Sequence, residues 1–185
     1  MRAFVTTILL AAVLTVPASA GSLADVTMPD QVQVESHSLV LNGMALRKKF
    51  FVKVYVAGLY LPSKEGSAEA ILAADAPRQL RMHFLYKVNQ GKICDAWKEG
   101  VEKNRPEASD VVQRQLDELC GMMEDMGKGE SMTFTYVPDH GTTVEVEGQE
   151  KGSLASKAFA DALWSTWIGP EPPSDDFKEG LLGKG

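Results

Sequence analysis

The sequence is poor in the residues that build metal centres. It contains two cysteines and three histidines among 185 residues, and none of them stands at the spacing of a metal-ligand motif. His37, His83 and His140 are isolated from one another and from the cysteines, so we assign them structural or surface roles. The sequence therefore predicts neither a metal site nor a cofactor.

Phosphate-binding and hydrolase motifs are also missing. There is no G-x-S-x-G nucleophile elbow, no phosphate-binding loop and no dinucleotide fingerprint. The 19 basic residues are outnumbered by 25 acidic residues, which gives a formal net charge of −6, and the lysines are scattered. We therefore expect no nucleic-acid partner and no binding to an anionic membrane surface. The short basic cluster Arg47-Lys48-Lys49 is interpreted as a solvated strand end.

The first twenty residues have the pattern of a cleavable export signal. Arg2 supplies a positive start, residues 4–16 form an almost uncharged apolar run, and Ala18-Ser19-Ala20 resembles an A-x-A cleavage site. The apolar run is too short for a membrane anchor, which needs roughly twenty residues. No later segment is apolar enough to span a bilayer. We therefore expect residues 1–20 to be removed and residues 21–185 to form one exported, periplasmic domain without stable membrane insertion.

The predicted elements are segregated rather than alternating, which is typical of an α+β fold. Period-two alternation of apolar residues marks the strands, and helical spacing of apolar residues marks the helices. The Asn42-Gly43 pair between two apolar runs predicts a hairpin turn. Strands are predicted at residues 31–34, 38–41, 48–61 and 79–86, a hairpin at 131–137 and 142–147, and helices at 67–73, at 90–104, from Ser109, from Ser153 and at 175–182.

Residues 48–61 give the strongest strand signal and are predicted as one long strand. One face of it is mostly apolar. The other face carries Lys49, Lys53 and Tyr55; it begins cationic and becomes apolar, as at a polar entrance to an apolar interior. Arg47 shares this second face with Tyr55, eight residues further on, at about 26 Å if the strand is straight.

Three segments together resemble the chalcone isomerase superfamily. They are FFVKVYVAGLYLP at residues 50–62, GKICDAWKEGVEKN at 91–104 and FADALWSTWIGPEPPSDDFKEGLLG at 159–183. The form NGMALRKKFFVKVYVAGLYLP is most similar to the exported bacterial chalcone isomerase-like branch. The resemblance implies an α+β, open-faced β-sandwich, in which a large antiparallel sheet carries helices on one face and a ligand cleft lies between them.

The resemblance also implies which residues would hold a ligand. Plant members close a flavanone ring by adding a phenoxide across an enone, whereas plastid relatives hold a fatty-acid carboxylate with an Arg and a Tyr. Arg47 matches the family arginine. Tyr55 falls where the plant enzymes have Thr and the fatty-acid binders have Tyr, and Thr166 falls on the hydroxyl position of the late helix.

Two further catalytic positions of the plant enzymes, a Tyr and an Asn near the second helix, are not recovered. One register places Tyr86 and Ile93 there, and another places Asn89 and Ala96. No register gives both the Tyr and the Asn. The resemblance therefore argues against ring-closing catalysis in this chain.

The favoured function is non-catalytic binding of a small apolar or aromatic carboxylate, such as a fatty acid. Charge-assisted contacts to the head group and an apolar wall for the tail would hold such a ligand. The first alternative is an intramolecular lyase of the chalcone–flavanone type with Arg47, Tyr55 and Thr166 as catalytic candidates. The second is a structural or partner-binding domain. The candidate ligand-binding residues are Arg47, Lys53, Tyr55, Tyr86 and Thr166.

Cys94 and Cys120 are predicted to form a disulfide. They lie on two consecutive helices, ten residues before Asn104 and eleven residues after Ser109. If the helices pack antiparallel, a rise of about 1.5 Å per residue brings both cysteines to the same height. Disulfides form and persist in the oxidising compartments to which exported proteins are sent. The alternative is two buried free thiols, since cysteine is common in protein cores.

Overall fold

A seven-stranded antiparallel sheet is the frame of this computed structural model, which describes residues 20–185. The sheet contains β3 to β9 in chain order, and a two-stranded hairpin, β1–β2, precedes it. The predicted export signal lies outside the described residues, except for Ala20. The strands are β1 (Ala20–Leu23), β2 (Val26–Pro29), β3 (Gln31–Val34), β4 (His37–Lys49), β5 (Val52–Leu61), β6 (Arg78–Phe84), β7 (Ser131–Val137), β8 (Gly141–Val146) and β9 (Gln149–Leu154), and the helices are α1 (Ala68–Ala73), α2 (Gln90–Asn104), α3 (Asp110–Met122), α4 (Lys157–Ile168) and α5 (Asp175–Leu181).

Apolar side chains are buried on both faces of the central strands. On β5, Ala57 and Leu59 face the larger cluster, which includes the inner sides of the helices. Val56 and Tyr60 point to the opposite face and pack under β1–β2 in a smaller cluster. The Tyr60 hydroxyl donates to the Pro29 carbonyl at 2.9 Å and ties the β1–β2 hairpin to the sheet. This arrangement confirms the predicted α+β, open-faced β-sandwich.

The predicted long strand at residues 48–61 is wrong, because the chain reverses direction inside it. β4 ends at Lys49 and β5 begins at Val52, so Phe50 and Phe51 form a two-residue turn between antiparallel neighbours. Such turns favour Gly, Asn or Asp where φ is positive, but here Phe50 adopts a φ of 55°. The turn therefore lacks its usual sequence signal, and the apolar alternation continues in the same phase on either side of it.

The predicted hairpin turn at Asn42-Gly43 is also wrong, because both residues lie within β4. The Asn42 side chain is buried; it donates to the carbonyls of Glu65 and Leu181 at 3.0 and 2.8 Å and accepts from the Glu65 amide. A side chain at Gly43 would place its Cβ 2.1 Å from the Gly180 carbonyl oxygen. The pair therefore serves the close packing of α5 against β4.

The predicted helix at residues 90–104 is confirmed, and so is the Ser109 cap of the next helix. Ser109 and Asn89 accept hydrogen bonds from the third residue after each of them, as N-cap residues do. The helix predicted from Ser153 begins later, at Lys157 after Ser156, because residues 149–154 form β9, which the sequence reading missed. Within residues 20–185 no helix is long and apolar enough to cross a membrane.

A charged cluster lies inside the core at the start of β6. The Arg78 side chain is 1% exposed and binds Asp161 at 2.6 Å and the Ile71 carbonyl at 3.0 Å. Its guanidinium lies between the rings of Tyr136 and Trp164, with centroids 4.9 and 5.0 Å away. Arg78 therefore joins β6 to α1 and α4. No local pattern in the sequence marks Arg78 as a buried residue.

Candidate functional site

A cleft of about 510 Å³ opens between the β4–β5 hairpin, β6 and the helices α2 and α4. The segment at residues 171–173, before α5, borders it as well. The buried part of its wall is almost entirely apolar, whereas most of the exposed part is charged. The buried apolar side chains are Met82, Phe84, Ile93, Trp97 and Trp167. The cleft is therefore a polar mouth over an apolar interior, as the sequence predicted.

Arg47 and Tyr55 are direct cross-strand partners in this cleft. They lie opposite each other on β4 and β5, so their side chains share the face that carries the helices. The predicted separation of about 26 Å is therefore wrong, because it assumed one straight strand. The Arg47 Nη1 donates to the Lys48 carbonyl at 2.6 Å and to the Pro173 carbonyl at 3.4 Å. Within residues 20–185, none of the ion pairs involves Arg47.

The Tyr55 hydroxyl is held in position by aromatic neighbours. It accepts a hydrogen bond from the Trp167 indole nitrogen at 3.2 Å, and its ring packs against Phe84 and Phe177 with centroids 5.6 and 5.9 Å away. Burial raises the pKa of Tyr55 to about 12, against smaller opposing effects of the Trp167 hydrogen bond and the Arg47 charge. Tyr55 is therefore a neutral hydrogen-bond donor at physiological pH, and among the described residues its hydroxyl hydrogen-bonds only with Trp167.

Thr166 lies on the cleft wall at α4, where the family resemblance placed it. It is buried, and its hydroxyl donates to the Leu163 carbonyl at 2.7 Å. Its side chain packs against Gly100 on α2, where an added Cβ would lie 2.8 Å from the Thr166 Cβ. Because its proton is engaged within the helix, Thr166 can offer a ligand only a hydrogen-bond acceptor.

Of the other two predicted ligand-binding residues, Tyr86 borders the cleft and Lys53 does not. Tyr86 borders the cleft just beyond β6 and is 56% exposed. Lys53 is exposed on the β4–β5 hairpin, where it pairs with Lys48, and it does not line the cleft. The prediction of Lys53 as a ligand-binding residue of this cleft is therefore not supported, because the hairpin places Arg47 opposite Tyr55 instead.

The second-helix positions supply no amide side chain to the cleft. Ile93 and Ala96 line it, but Asn89 caps α2 and accepts a hydrogen bond from the Lys92 amide at 2.9 Å. Among the described residues that line the cleft there is no asparagine. The Tyr and Asn pair of the plant enzymes is therefore not assembled in this chain.

Most of the charged residues at the cleft mouth were not predicted from the sequence. Besides Arg47, four lysines line it and only two carboxylates do, one of which binds a lysine, Lys103, at 2.6 Å. Lys92, Glu99 and Lys103 recur at helical spacing on α2, a signal that could have identified one face. The four lysines are Lys49, Lys87, Lys92 and Lys103, and the carboxylates are Glu99 and Glu171. The mouth is thus locally positive on a chain of net charge −6.

Cys94 and Cys120 lie next to each other between α2 and α3 as free thiols. Burial raises the pKa of Cys120 to about 12, with a further contribution from the neighbouring Cys94 thiol. The two side chains are close enough to interact, as expected if α2 and α3 pack antiparallel. The disulfide itself is not formed in this structure and stays a prediction.

Residues 20–183 match the model of the chalcone isomerase-like family, so the chain belongs to that family. No curated protein matches the chain.

One solved structure with a similar fold is a fatty-acid binding protein of Arabidopsis thaliana. The two superpose with a TM-score of 0.73, over 89% of this chain and 96% of that chain, at 18% sequence identity. At that identity the likeness establishes the fold. The predicted membership of the exported bacterial branch stays a prediction.

Proposed function

We propose that this protein is a non-catalytic carrier or sensor of a small apolar carboxylate, such as a fatty acid. The observation that carries the proposal is the cross-strand pair of Arg47 and Tyr55 at the cleft. A guanidinium and a phenol side by side can each donate to one carboxylate, and charge-assisted hydrogen bonds are the stronger kind. The fatty-acid binding protein with the same fold supports this choice of ligand.

The interior of the cleft suits an apolar tail. Its volume of about 510 Å³ lies in the range of small-molecule sites. Met82 and the rings of Phe84, Trp97 and Trp167 line its buried wall. A methionine adapts its shape to flexible apolar groups, and the aromatic rings provide a large apolar surface. A chain that enters tail first would leave its carboxylate at Arg47 and Tyr55.

The alternative function, an intramolecular lyase, would use the same cleft with Arg47, Tyr55 and Thr166 as its polar groups. The raised pKa of Tyr55 makes it a poor base near neutral pH. Since the second-helix Asn is missing, we expect no cyclisation of chalcones above the spontaneous rate. The other alternative, a purely structural domain with a filled cleft, is disfavoured by the open volume.

The site of action is part of the proposal. We place the protein in the exported bacterial branch of its family, acting in the periplasm after removal of residues 1–20. The support is the sequence pattern of Arg2, residues 4–16 and Ala18-Ser19-Ala20. Mass measurement of the protein recovered from a periplasmic fraction tests this proposal. A protein that retains residues 1–20, or one found in the cytoplasm, contradicts it.

Isothermal titration with dodecanoate and with its methyl ester tests the head-group role. Arg47→Ala should weaken binding of the acid by about 10- to 150-fold, corresponding to about 1.5–3 kcal/mol for a hydrogen bond to a charged group. The ester should lose much less. Arg47→Lys should fall between the two, because lysine keeps the charge but not the planar fork.

Arg114→Ala is the matched control for the titration, since Arg114 is exposed on α3 and outside the cleft. It should leave both affinities unchanged. Equal losses for the acid and the ester in Arg47→Ala would reject the head-group role. Chalcone turnover that depends on Arg47 would instead favour the lyase.

A further inference from the structure

The outer end of the β4–β5 hairpin exposes two adjacent phenylalanines. Phe50 and Phe51 are 89% and 102% exposed. The other phenylalanines among residues 20–185 are at most 1% exposed. Val52 at the start of β5 is also exposed. Exposed apolar groups that are contiguous mark surfaces for a partner or a membrane.

The identity of these residues is not explained by the turn itself. Phe50 adopts a φ of 55°, a region that a bulky side chain occupies at a cost and that glycine occupies freely. Neither phenyl ring contributes to either apolar cluster. The hairpin would fold at least as well with Gly-Ser, so the two rings serve something outside the fold.

Lysines surround the two rings. Lys48, Lys49 and Lys53 are exposed on the hairpin strands, and within residues 20–185 none of them takes part in an ion pair. The chain as a whole has a net charge of −6, so this lysine cluster is a local positive patch on an acidic protein. The expectation of no binding to an anionic membrane surface came from placing Lys53 further along one strand from Lys48 and Lys49, rather than beside them across a turn.

We propose that this hairpin tip, residues 48–53, docks the protein on an anionic lipid bilayer. Two aromatic rings with no partner would enter the interface between headgroups and acyl chains, and three lysines would contact anionic headgroups. A second copy of this chain is a poorer occupant, because a symmetric contact through the tip would bring the same lysine cluster against itself. Docking through the tip does not depend on the proposed binding of a carboxylate in the cleft.

The position of the tip connects this surface to the cleft. Lys49, Phe50 and Val52 also line the cleft mouth, and Arg47 and Tyr55 lie further along the same hairpin. Docking through the tip therefore brings the mouth to the lipid surface. A lipid-derived carboxylate could then pass into the cleft without crossing bulk water.

Vesicle sedimentation without added fatty acid tests the docking. The chain is expressed from the full sequence and its N-terminus is established by intact mass, because residues 4–16 would themselves bind lipid. Phosphatidylcholine vesicles with about 30% phosphatidylglycerol are compared with phosphatidylcholine alone. We expect binding to the anionic vesicles that is weaker by tenfold or more in Phe50→Gly/Phe51→Ser, and weaker also in Lys48→Gln/Lys49→Gln/Lys53→Gln and at high salt.

A matched triple variant controls for net charge. Lys98→Gln/Lys128→Gln/Lys184→Gln removes three exposed lysines outside the cleft and should bind anionic vesicles nearly as well as the unmodified chain. Thermal unfolding checks that the tip variants remain folded. A loss of vesicle binding that is equal in the two lysine variants would overturn the proposal.

A reporter at the tip provides the second measurement. In Phe51→Trp, brominated lipids should quench the added indole, since the three native tryptophans are buried. Absence of quenching overturns the proposal, as does sedimentation that shows only self-association through the tip. Either failure leaves carboxylate binding in solution untouched, so it is distinct from failure of the proposed function.

Discussion

Oxidation of Cys94 and Cys120 to a disulfide should stabilise the protein substantially. The two thiols are neighbours across α2 and α3, close enough for Cys94 to help raise the pKa of Cys120. The disulfide would clamp α2, which forms one wall of the cleft, to α3 behind it. The raised pKa of Cys120, about 12, keeps nearly all of this thiol protonated at neutral pH. Spontaneous oxidation should therefore be slow without a catalyst.

The magnitude follows from the length of the loop that the bond closes. Cys94 and Cys120 enclose about 27 residues, for which the chain-entropy relation gives about 3.5 kcal/mol at 25 °C. For a domain of this size, each kcal/mol shifts the unfolding midpoint by about 2–4 °C. Oxidised protein should therefore unfold about 7–14 °C above reduced protein.

Calorimetry with and without reductant measures the shift, and intact mass shows a loss of two hydrogens in the oxidised form. Alkylation must be done in denaturant, because Cys94 is buried and Cys120 is a weak nucleophile in the folded protein. The double variant Cys94→Ala/Cys120→Ala is the control, and its midpoint should not respond to reductant. Two alkylated thiols in unreduced protein from an oxidising compartment would refute the reasoning.

Two further predictions concern packing and are checked by denaturant unfolding. Arg78→Met should cost about 1–3 kcal/mol, because it leaves the Ile71 carbonyl without its buried partner, whereas Asp161 keeps its ion pair with Lys157; no measurable cost would show that Arg78 does not hold this part of the core together. Gly100→Ala should cost about 1–3 kcal/mol, since its Cβ would meet Thr166 at 2.8 Å. The same change at Gly121, where no atom lies within 4 Å of the added Cβ, should be neutral or stabilising; equal effects at the two glycines would contradict the packing argument.

The helices were predictable because local signals determine their ends. Asn89 and Ser109 stand one residue before α2 and α3, and an apolar stripe runs along each helix. The sheet strands with a clear alternation, such as β6 and β7, were predictable for a similar reason. These signals act within a few residues, so the sequence shows them directly.

The sequence could not show which distant groups would meet. Arg78 binds Asp161, 83 positions away, and nothing near Arg78 in the sequence indicates that it is buried. The lysines of the cleft mouth come from β4, from α2 and from the segment between β6 and α2. Only the folded sheet brings them together, and a net charge of −6 concealed the local excess.

The β4–β5 hairpin depends on two irregularities that compensate each other. Next to the turn, Lys49 pairs with Val52 and Lys48 with Lys53, a register that would place Arg47 opposite Val54. Arg47 pairs instead with Tyr55, because Val54 is an extra residue on β5. Without this bulge the Arg47 and Tyr55 side chains would lie on opposite faces of the sheet.

The second irregularity lies at Asn42, which is the extra residue on β4 and restores the register further along the hairpin. Its side-chain amide donates hydrogen bonds to the carbonyls of Glu65 and Leu181, and these bonds fix the position of the extra residue. The prediction that Arg47 and Tyr55 share one face of the sheet was right, but it rested on their even spacing along a single strand. In the structure a turn and two bulges place both side chains on that face. Arg47 and Tyr55 are therefore cross-strand neighbours, instead of lying about 26 Å apart along one strand. The candidate head-group site therefore exists because of these irregularities, and a strictly regular hairpin with the same residues would not form it.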